Sequence, residues 1–161
     1  MSNTDITKPA DLTAHTEGTG PLRKQRPLYV DFMPPCNSAC PAGENIQAWM
    51  AHAQSENYFD AFQTLVADNP FPAVMGRVCV KPCETGCNRT HIDTTVNIHA
   101  VERYIGDEAI KQKWPIQFVA WTTGKKVLVV GAGPSGLSAA YHLARMGHAV
   151  EIFEAGGHAG G

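Results

Sequence analysis

The chain has 161 residues, of which 43% are hydrophobic and 17% charged, and its formal net charge is -2. This composition excludes a wholly disordered chain, and the small negative charge gives no electrostatic basis for binding nucleic acid. No apolar run approaches the roughly 20 residues that a membrane-spanning helix needs, and residues 1–20 lack the basic start and apolar core of a signal peptide. We therefore expect a cytoplasmic protein without membrane insertion.

The first part of the chain divides into a predicted leader and a predicted helical domain. Residues 1–27 are rich in Thr, Asp, Gly, Pro and Lys without periodic hydrophobicity, which is typical of a flexible leader. Within the next segment, residues 28–122, helical spacing predicts a hairpin of two helices at 45–55 and 59–66. The second helix should end before Pro70, because proline disfavours helix at the preceding residue.

The rest of this domain is predicted to be a loop and one more helix. Residues 71–89 are rich in Gly, Pro and Cys and are expected to form the loop. Asn97 is expected to cap the third helix, which should end at Trp114 and Pro115.

From residue 123 the periodicity changes and predicts one βαβ unit. Residues 126–130 form a continuous apolar run, typical of a parallel strand covered on both faces, and 134–146 have helical spacing. Residues 150–154 form the second strand. A single unit would leave an apolar sheet with open edges, so we expect residues 123–161 to be a truncated Rossmann unit that belongs to a longer polypeptide or is completed by a partner.

The turn between the first strand and the helix carries the dinucleotide-binding pattern GxGxxG. Gly131 suits the tight turn, Gly133 lets the backbone approach a pyrophosphate, and Gly136 lets the helix press against the strand. Glu154 can accept a hydrogen bond from a ribose hydroxyl, which favours FAD or NAD over a 2′-phosphate. The second glycine-rich turn, which ends at Gly161, resembles FAD-binding reductases and favours FAD.

The alternative is a glycine-rich turn without a ligand. The predicted cofactor-binding residues are Gly131, Ala132, Gly133, Pro134, Ser135, Gly136, Glu154 and Gly161.

Five cysteines lie on the two sides of the predicted hairpin, Cys36 and Cys40 before it and Cys79, Cys83 and Cys87 after it. Clustered thiols suit an iron–sulfur cluster or zinc, since both prefer soft sulfur ligands. The Cys-x2-Cys spacing that zinc sites usually show is absent, which favours the cluster. Buried inert thiols are a third interpretation, which fits poorly with cysteines in loops beside proline and glycine.

The segments around these cysteines resemble the N-terminal iron–sulfur domain of the glutamate synthase small subunit family, a domain that also opens dihydropyrimidine dehydrogenase. The matching segments are 36–41, 69–79, 82–84, Cys87 and 96–103. The resemblance implies an α + α/β protein. Its helical iron–sulfur domain, of the alpha-helical ferredoxin type, would precede the first βαβ unit of a Rossmann-type FAD-binding domain.

The resemblance also implies a ligand set for one [4Fe–4S] cluster. Cys40, Cys79 and Cys83 match three ligands of that cluster, and Glu102 matches its fourth, non-cysteine ligand. The alternative for Glu102 is a carboxylate on the helix surface that pairs with a nearby arginine.

Cys36 and Cys87 match two ligands of a second cluster in this family. The remaining pair is expected shortly before Cys36, where residues 26–33 contain no thiol. Two cysteines rarely suffice for such a cluster. We therefore expect one [4Fe–4S] cluster, with two as the alternative, and we interpret Cys36 and Cys87 as spare thiols or alternative ligands.

By the same resemblance, the intact protein is expected to be an NAD(P)H-dependent iron–sulfur flavoprotein oxidoreductase. Electrons would pass from NAD(P)H, bound beyond this chain, through FAD and the cluster to a partner such as the glutamate synthase large subunit. Two alternatives stay open: a subunit of another ferredoxin-linked oxidoreductase, or a cluster-bearing relay module without reductase activity. No catalytic residue is predicted, and the seven scattered histidines are assigned no role.

Overall fold

The computed structural model describes residues 33–118 and 121–161, so the leader predicted for 1–27 lies outside the described residues. The described elements are α1 Pro35–Ala39, α2 Ile46–Gln54, α3 Tyr58–Leu65, α4 Pro72–Val78, α5 Pro82–Thr85, a 3-10 turn at Asn88–His91, α6 Ile98–Gln112, β1 Lys126–Val130, α7 Pro134–Arg145 and β2 Ala149–Phe153. Among them there is no helix with the length and apolarity needed to cross a membrane.

The predicted hairpin is confirmed as α2 and α3. Asn45 caps α2, since its side-chain oxygen accepts a hydrogen bond from the Ala48 backbone N–H at 3.3 Å. Trp49 from α2, Leu65 from α3 and Ile105 from α6 are fully buried and form the centre of the core. Three helices thus share one apolar interior.

The loop predicted for residues 71–89 is wrong, because α4 and α5 lie within it. Pro72 and Pro82 begin these two helices. Proline is tolerated at a first helical position, where the backbone N–H has no partner within the helix, so these prolines start helices rather than prevent them. Pro35 begins α1 in the same way, and the sequence patterns did not predict that helix.

The third predicted helix is confirmed as α6, but its cap differs from the prediction. Asn97 precedes the helix and makes no side-chain capping bond. Instead, the Glu84 side chain from α5 accepts a hydrogen bond from the His99 backbone N–H at 3.0 Å. Because the capping group comes from another helix, the start of α6 is tied to α5.

Helices α4 and α6 cross with their backbones in direct contact. A Cβ atom on Gly106 would lie 2.3 Å from the Ala73 backbone nitrogen, and one on Gly76 would lie 2.6 Å from the Arg103 Cα. Beside the crossing, the exposed Arg77 guanidinium binds both carboxylate oxygens of Asp107, at 2.8 and 2.9 Å. No side chain larger than hydrogen fits at either glycine, so the two glycines set the distance between these helices.

Strands β1 and β2 are parallel and pair Val127 with Val150, as the βαβ prediction requires. The prediction that both faces of β1 are covered is wrong for the described residues. Val127 is half-buried, whereas Leu128 is 59% and Val130 is 81% exposed. Helix α7 packs on the sheet, and the face that carries Leu128 and Val130 has no described element to cover it.

Helix α7 joins the βαβ unit to the helical part of the chain. The Tyr141 hydroxyl donates a hydrogen bond to the Val66 carbonyl at 2.6 Å, and the Arg145 guanidinium binds the Ala67 carbonyl. The Phe118 ring packs edge-on against Tyr141 with their centroids 6.0 Å apart. Residues 33–161 thus form one unit, and the domain boundary at 122 and 123 stays a prediction.

The α4–α6 crossing generates a stability prediction for Gly106→Ala. Alanine is intrinsically better than glycine inside a helix by about 1 kcal/mol. We nevertheless expect the variant to lower the free energy of unfolding by about 1–3 kcal/mol, because the added methyl group must push the helices apart. Denaturation in guanidinium chloride measures this change. The control is Lys111→Ala, on the exposed side of the same helix. Its free energy of unfolding should stay within about 0.5 kcal/mol of the parent value. Equal stability of the two variants would contradict the close crossing.

Candidate metal and dinucleotide sites

A cavity of about 330 Å³ lies among α4, α5, α6 and the start of α7, and the three thiols of Cys40, Cys79 and Cys83 line it together with Glu102. Cys40 follows α1, Cys79 ends α4, Cys83 lies within α5, and Glu102 lies on α6. The structure therefore brings together the four residues that the family resemblance assigned to one cluster.

Local backbone geometry places two of these thiols. Cys79 leaves α4 in an extended conformation, and its sulfur accepts a hydrogen bond from the Lys81 backbone N–H at 3.3 Å. Lys81 has a left-handed conformation with φ 51°, which turns the chain into α5. Cys83 is then buried near the start of α5, with 9% of its surface exposed. A short turn thus presents both thiols to the same cavity.

Two buried carboxylates share one amide beside the thiols. Glu44 and Glu102 are each 7% exposed, and Asn69 between them is 4% exposed. The Asn69 Nδ2 atom donates to Glu44 Oε1 at 2.9 Å and to Glu102 Oε1 at 2.8 Å. The alternative that Glu102 is a surface carboxylate paired with an arginine is therefore wrong. The adjacent Arg103 pairs with Asp107 instead, with 3.7 Å between Arg103 Nε and Asp107 Oδ2.

Glu44 and Asn69 also line the cavity, which the sequence patterns did not predict. Glu44 stands just before the capping residue of α2, and Asn69 stands just before Pro70. Both residue types are usually exposed at such positions, so nothing in their spacing marked them as buried.

The cavity is unfavourable for the charged forms of its acids and thiols. Burial and, after it, the charge of the neighbouring Glu44 carboxylate raise the pKa of Glu102 to about 8. Burial also raises the pKa of Glu44 and of Cys40, and it raises the pKa of Cys83 to about 11. Buried anionic ligands are stabilised when they bind a cation. Three thiols and a carboxylate are suitable donors for iron, so the residues present fit an iron-containing group.

Cys36 and Cys87 are half-buried and do not line this cavity. Cys36 lies within α1, and Cys87 follows α5. No three Cys, His, Asp or Glu side chains in the described part of the chain have the geometry to hold a single metal ion. The three thiols instead line, with residues of several other segments, the cavity of about 330 Å³.

The glycines of the predicted dinucleotide loop differ in their surroundings. Gly131 has φ 96°, a conformation that favours glycine. A Cβ on Gly136 would lie 1.9 Å from the Gly131 carbonyl oxygen, so this glycine allows α7 to approach β1. A Cβ on Gly133 would meet nothing within 4 Å, which leaves open space beside the loop.

Glu154 and the second glycine-rich turn close around the same loop. One Glu154 carboxylate oxygen accepts from the Ala132 N–H at 2.6 Å, and the other accepts from the Gly156 N–H at 2.8 Å. These bonds, led by that from Gly156, lower the pKa of Glu154. The Gly160 N–H donates to the Ala132 carbonyl at 2.7 Å, and a Cβ on Gly161 would lie 3.9 Å from the Gly133 Cα. The predicted cofactor-binding residues therefore lie together.

The first turn of α7 belongs to both sites. Pro134 and Ser135, within the dinucleotide pattern, also line the thiol cavity, and Ser138 one turn later lines it as well. The sequence patterns placed these two sites in separate domains and did not predict that one helix end would border both.

The family described as dihydropyrimidine dehydrogenase domain II, 4Fe-4S cluster, matches residues 25–114, which is more than half of the chain. The chain belongs to this family. A second family, described as an NAD(P)-binding Rossmann-like domain, matches residues 129–161. The first match covers every residue of the thiol cavity that precedes α7. The second match covers the glycine-rich loop and α7.

Several relatives match most of this chain. The NADPH-Fe(3+) oxidoreductase subunit beta of Geobacter sulfurreducens is 41% identical over 79% of this chain and 19% of its own length. The glutamate synthase [NADPH] small chain of Mycobacterium tuberculosis is 38% identical over 83% of this chain and 28% of its own. The NADP(+)-dependent formate dehydrogenase subunit beta of Moorella thermoacetica is 35% identical over 79% and 21%. The matched part of this chain thus corresponds to between 19% and 28% of the length of these relatives.

Proposed function

We propose that the cavity binds one [4Fe–4S] cluster, with Cys40, Cys79, Cys83 and Glu102 as ligands. The observation that carries the proposal is that these four side chains, which come from four separate segments, line one cavity. The membership of the chain in a family described by its 4Fe-4S cluster supports the same conclusion. When bound, such a cluster accepts and releases single electrons.

The shape of the cavity favours a cluster over zinc. Structural zinc is held by four ligands in direct contact with a single ion, whereas these thiols line a volume of about 330 Å³. Cys36 and Cys87 do not line this cavity, and we assign them no iron. Because these two thiols are left over, we propose one cluster rather than two.

The glycine-rich loop is proposed to bind FAD. The open space at Gly133 and the backbone N–H groups at the start of α7 suit a pyrophosphate. The flavin would convert a two-electron hydride donor into single electrons. Because the start of α7 also borders the thiol cavity, both groups would lie against one helix end, which suits direct electron transfer between them.

The full-length protein is therefore proposed to be a cytoplasmic, NAD(P)H-dependent iron–sulfur flavoprotein oxidoreductase. It would pass electrons to a partner subunit, such as a glutamate synthase large subunit or that of another ferredoxin-linked enzyme. The names of the relatives, which are NADPH- or NADP(+)-dependent oxidoreductase subunits, support this reaction class.

The cluster is tested by Cys83→Ser and Cys87→Ser in anaerobically purified protein. We expect about four irons and four sulfides per chain in the parent protein. Cys83→Ser should lose most of the iron and the brown absorbance, because it removes a cavity ligand. Cys87→Ser is the matched control, half-buried and outside the cavity, and should keep both. About eight irons in the parent protein, or loss of iron from Cys87→Ser alone, would contradict the single-cluster proposal.

The dinucleotide site is tested by a pair of glycine substitutions in the full-length protein. Gly133→Ala should leave the free energy of unfolding within about 0.5 kcal/mol, since its methyl group meets no atom, yet weaken FAD binding at least about tenfold. Gly136→Ala should lower the free energy of unfolding by about 1–3 kcal/mol, since its methyl group meets a carbonyl. Denaturation and flavin titration measure the two effects. Unchanged FAD affinity in Gly133→Ala would contradict the proposal that this loop binds FAD.

A further inference from the structure

The buried amide of Asn69 is the feature that the proposed function does not yet use. We propose that Asn69 is a positioning residue that fixes the orientation of the Glu102 carboxylate in the thiol cavity. This inference rests on the proposed function, in which Glu102 is the fourth cluster ligand. Asn69 itself need not touch the cluster, since it acts through the hydrogen bond from Nδ2 to Glu102 Oε1.

The orientation of the Asn69 amide is determined by the backbone beside it. Its Oδ1 atom accepts a hydrogen bond from the Phe71 backbone N–H at 3.0 Å. A rotated amide would place an N–H group against that backbone N–H, and two donors cannot bond each other. The two hydrogens of Nδ2 must therefore face the carboxylates.

The backbone of Asn69 is fixed as well. Its N–H donates to the Leu65 carbonyl at the end of α3, at 3.1 Å, and Pro70 follows it with a restricted φ. With 4% of its surface exposed, the side chain has little freedom to rotate. A donor that is held at both ends can define the position of the group that it binds.

Asn69 bonds one oxygen of each carboxylate. The Oε1 atom of each acid accepts a hydrogen bond from Asn69 Nδ2, so one amide nitrogen lies between two groups that would otherwise repel each other when charged. Among the described residues, Glu102 Oε2 has no hydrogen-bond partner. Asn69 thus occupies one oxygen of Glu102 and leaves the other available to a metal.

The test compares Asn69→Leu, Glu102→Leu and the double variant in the full-length protein. Leucine has a similar size to asparagine but cannot donate. Mild oxidation removes the iron that lacks a cysteine ligand, and the resulting [3Fe–4S] form has an electron paramagnetic resonance signal. Excess dithionite then reduces this form by one electron, which removes its signal, and added ferrous ion restores the fourth iron. Dithionite reduces the rebuilt cluster by a further electron to [4Fe–4S]+, whose own electron paramagnetic resonance signal reports iron uptake, so the midpoint of its appearance gives the affinity for this iron.

We expect Asn69→Leu to lower the ferrous-ion affinity by about 10- to 100-fold, as for other residues that orient a metal ligand. Glu102→Leu, which removes both carboxylate oxygens, should lower it at least as much, and the double variant should equal Glu102→Leu alone, because Asn69 acts only through Glu102. The matched control is Asn57→Leu. The Asn57 amide also binds a carboxylate, that of Asp60, but at the protein surface, so the control should keep the parental affinity.

A second variant separates positioning from folding. Asn69→Ser adds no charge and keeps a side-chain oxygen that can accept from the Phe71 N–H, but it has no amide donor for Glu102. It should keep the parental circular dichroism spectrum and show the same loss of affinity. Parental affinity in a folded Asn69→Leu or Asn69→Ser protein, or additive losses in the double variant, would overturn the role of Asn69. Parental affinity in Glu102→Leu would instead overturn the ligand assignment on which the inference rests.

Discussion

The contact between α4 and α6 at Gly76 and Gly106 is the constraint on which the thiol cavity depends. Helix α4 begins three residues after Asn69 and ends at Val78, directly before Cys79, while Glu102 lies one turn before Gly106 on α6. With no side chains between the two backbones, the helices approach closely enough for these groups to line one cavity. A larger residue at either glycine would move both the thiol and the amide away from the carboxylate.

The cavity buries two acidic side chains at some cost to stability. Burying a carboxylate without a cation is unfavourable, which is why burial raises the pKa of Glu44 and Glu102. The chain limits that cost with a single amide, Asn69, that donates to both acids. A bound positive group would stabilise the same arrangement further, so metal binding and folding are expected to support each other.

The elements with regular hydrophobic spacing could be predicted from the sequence. The α2–α3 hairpin, α6 and the βαβ unit all have such spacing, and their ends agree with the structure to within one or two residues. Helices α4 and α5 are too short to show a period, and their prolines were interpreted as loop residues. Strand β1 was expected to be covered on both faces, but a strand's own sequence does not say which neighbours are present.

The candidate site was predicted only where chemistry is visible in the residue type. Thiols and the glycine pattern are rare enough to be informative, and the resemblance added Glu102. Glu44 and Asn69 were missed because their burial arises from long-range contacts, with α2, α4 and α6 closing over them. The Glu84 bond that caps α6 was missed for the same reason, since its partner lies 15 residues away. Local patterns do not encode these distances.

Mössbauer spectroscopy of full-length protein enriched in iron-57 tests the central claim most directly. A [4Fe–4S] cluster held by three thiolates and one carboxylate has one iron whose ligand is harder than sulfur. The account therefore predicts a single cubane in which one iron has a distinct, larger isomer shift, and that distinction should disappear in Glu102→Cys if the thiolate reaches the iron. Four equivalent sulfur-bound irons in the parent protein, or the spectrum of an isolated iron ion, would contradict it.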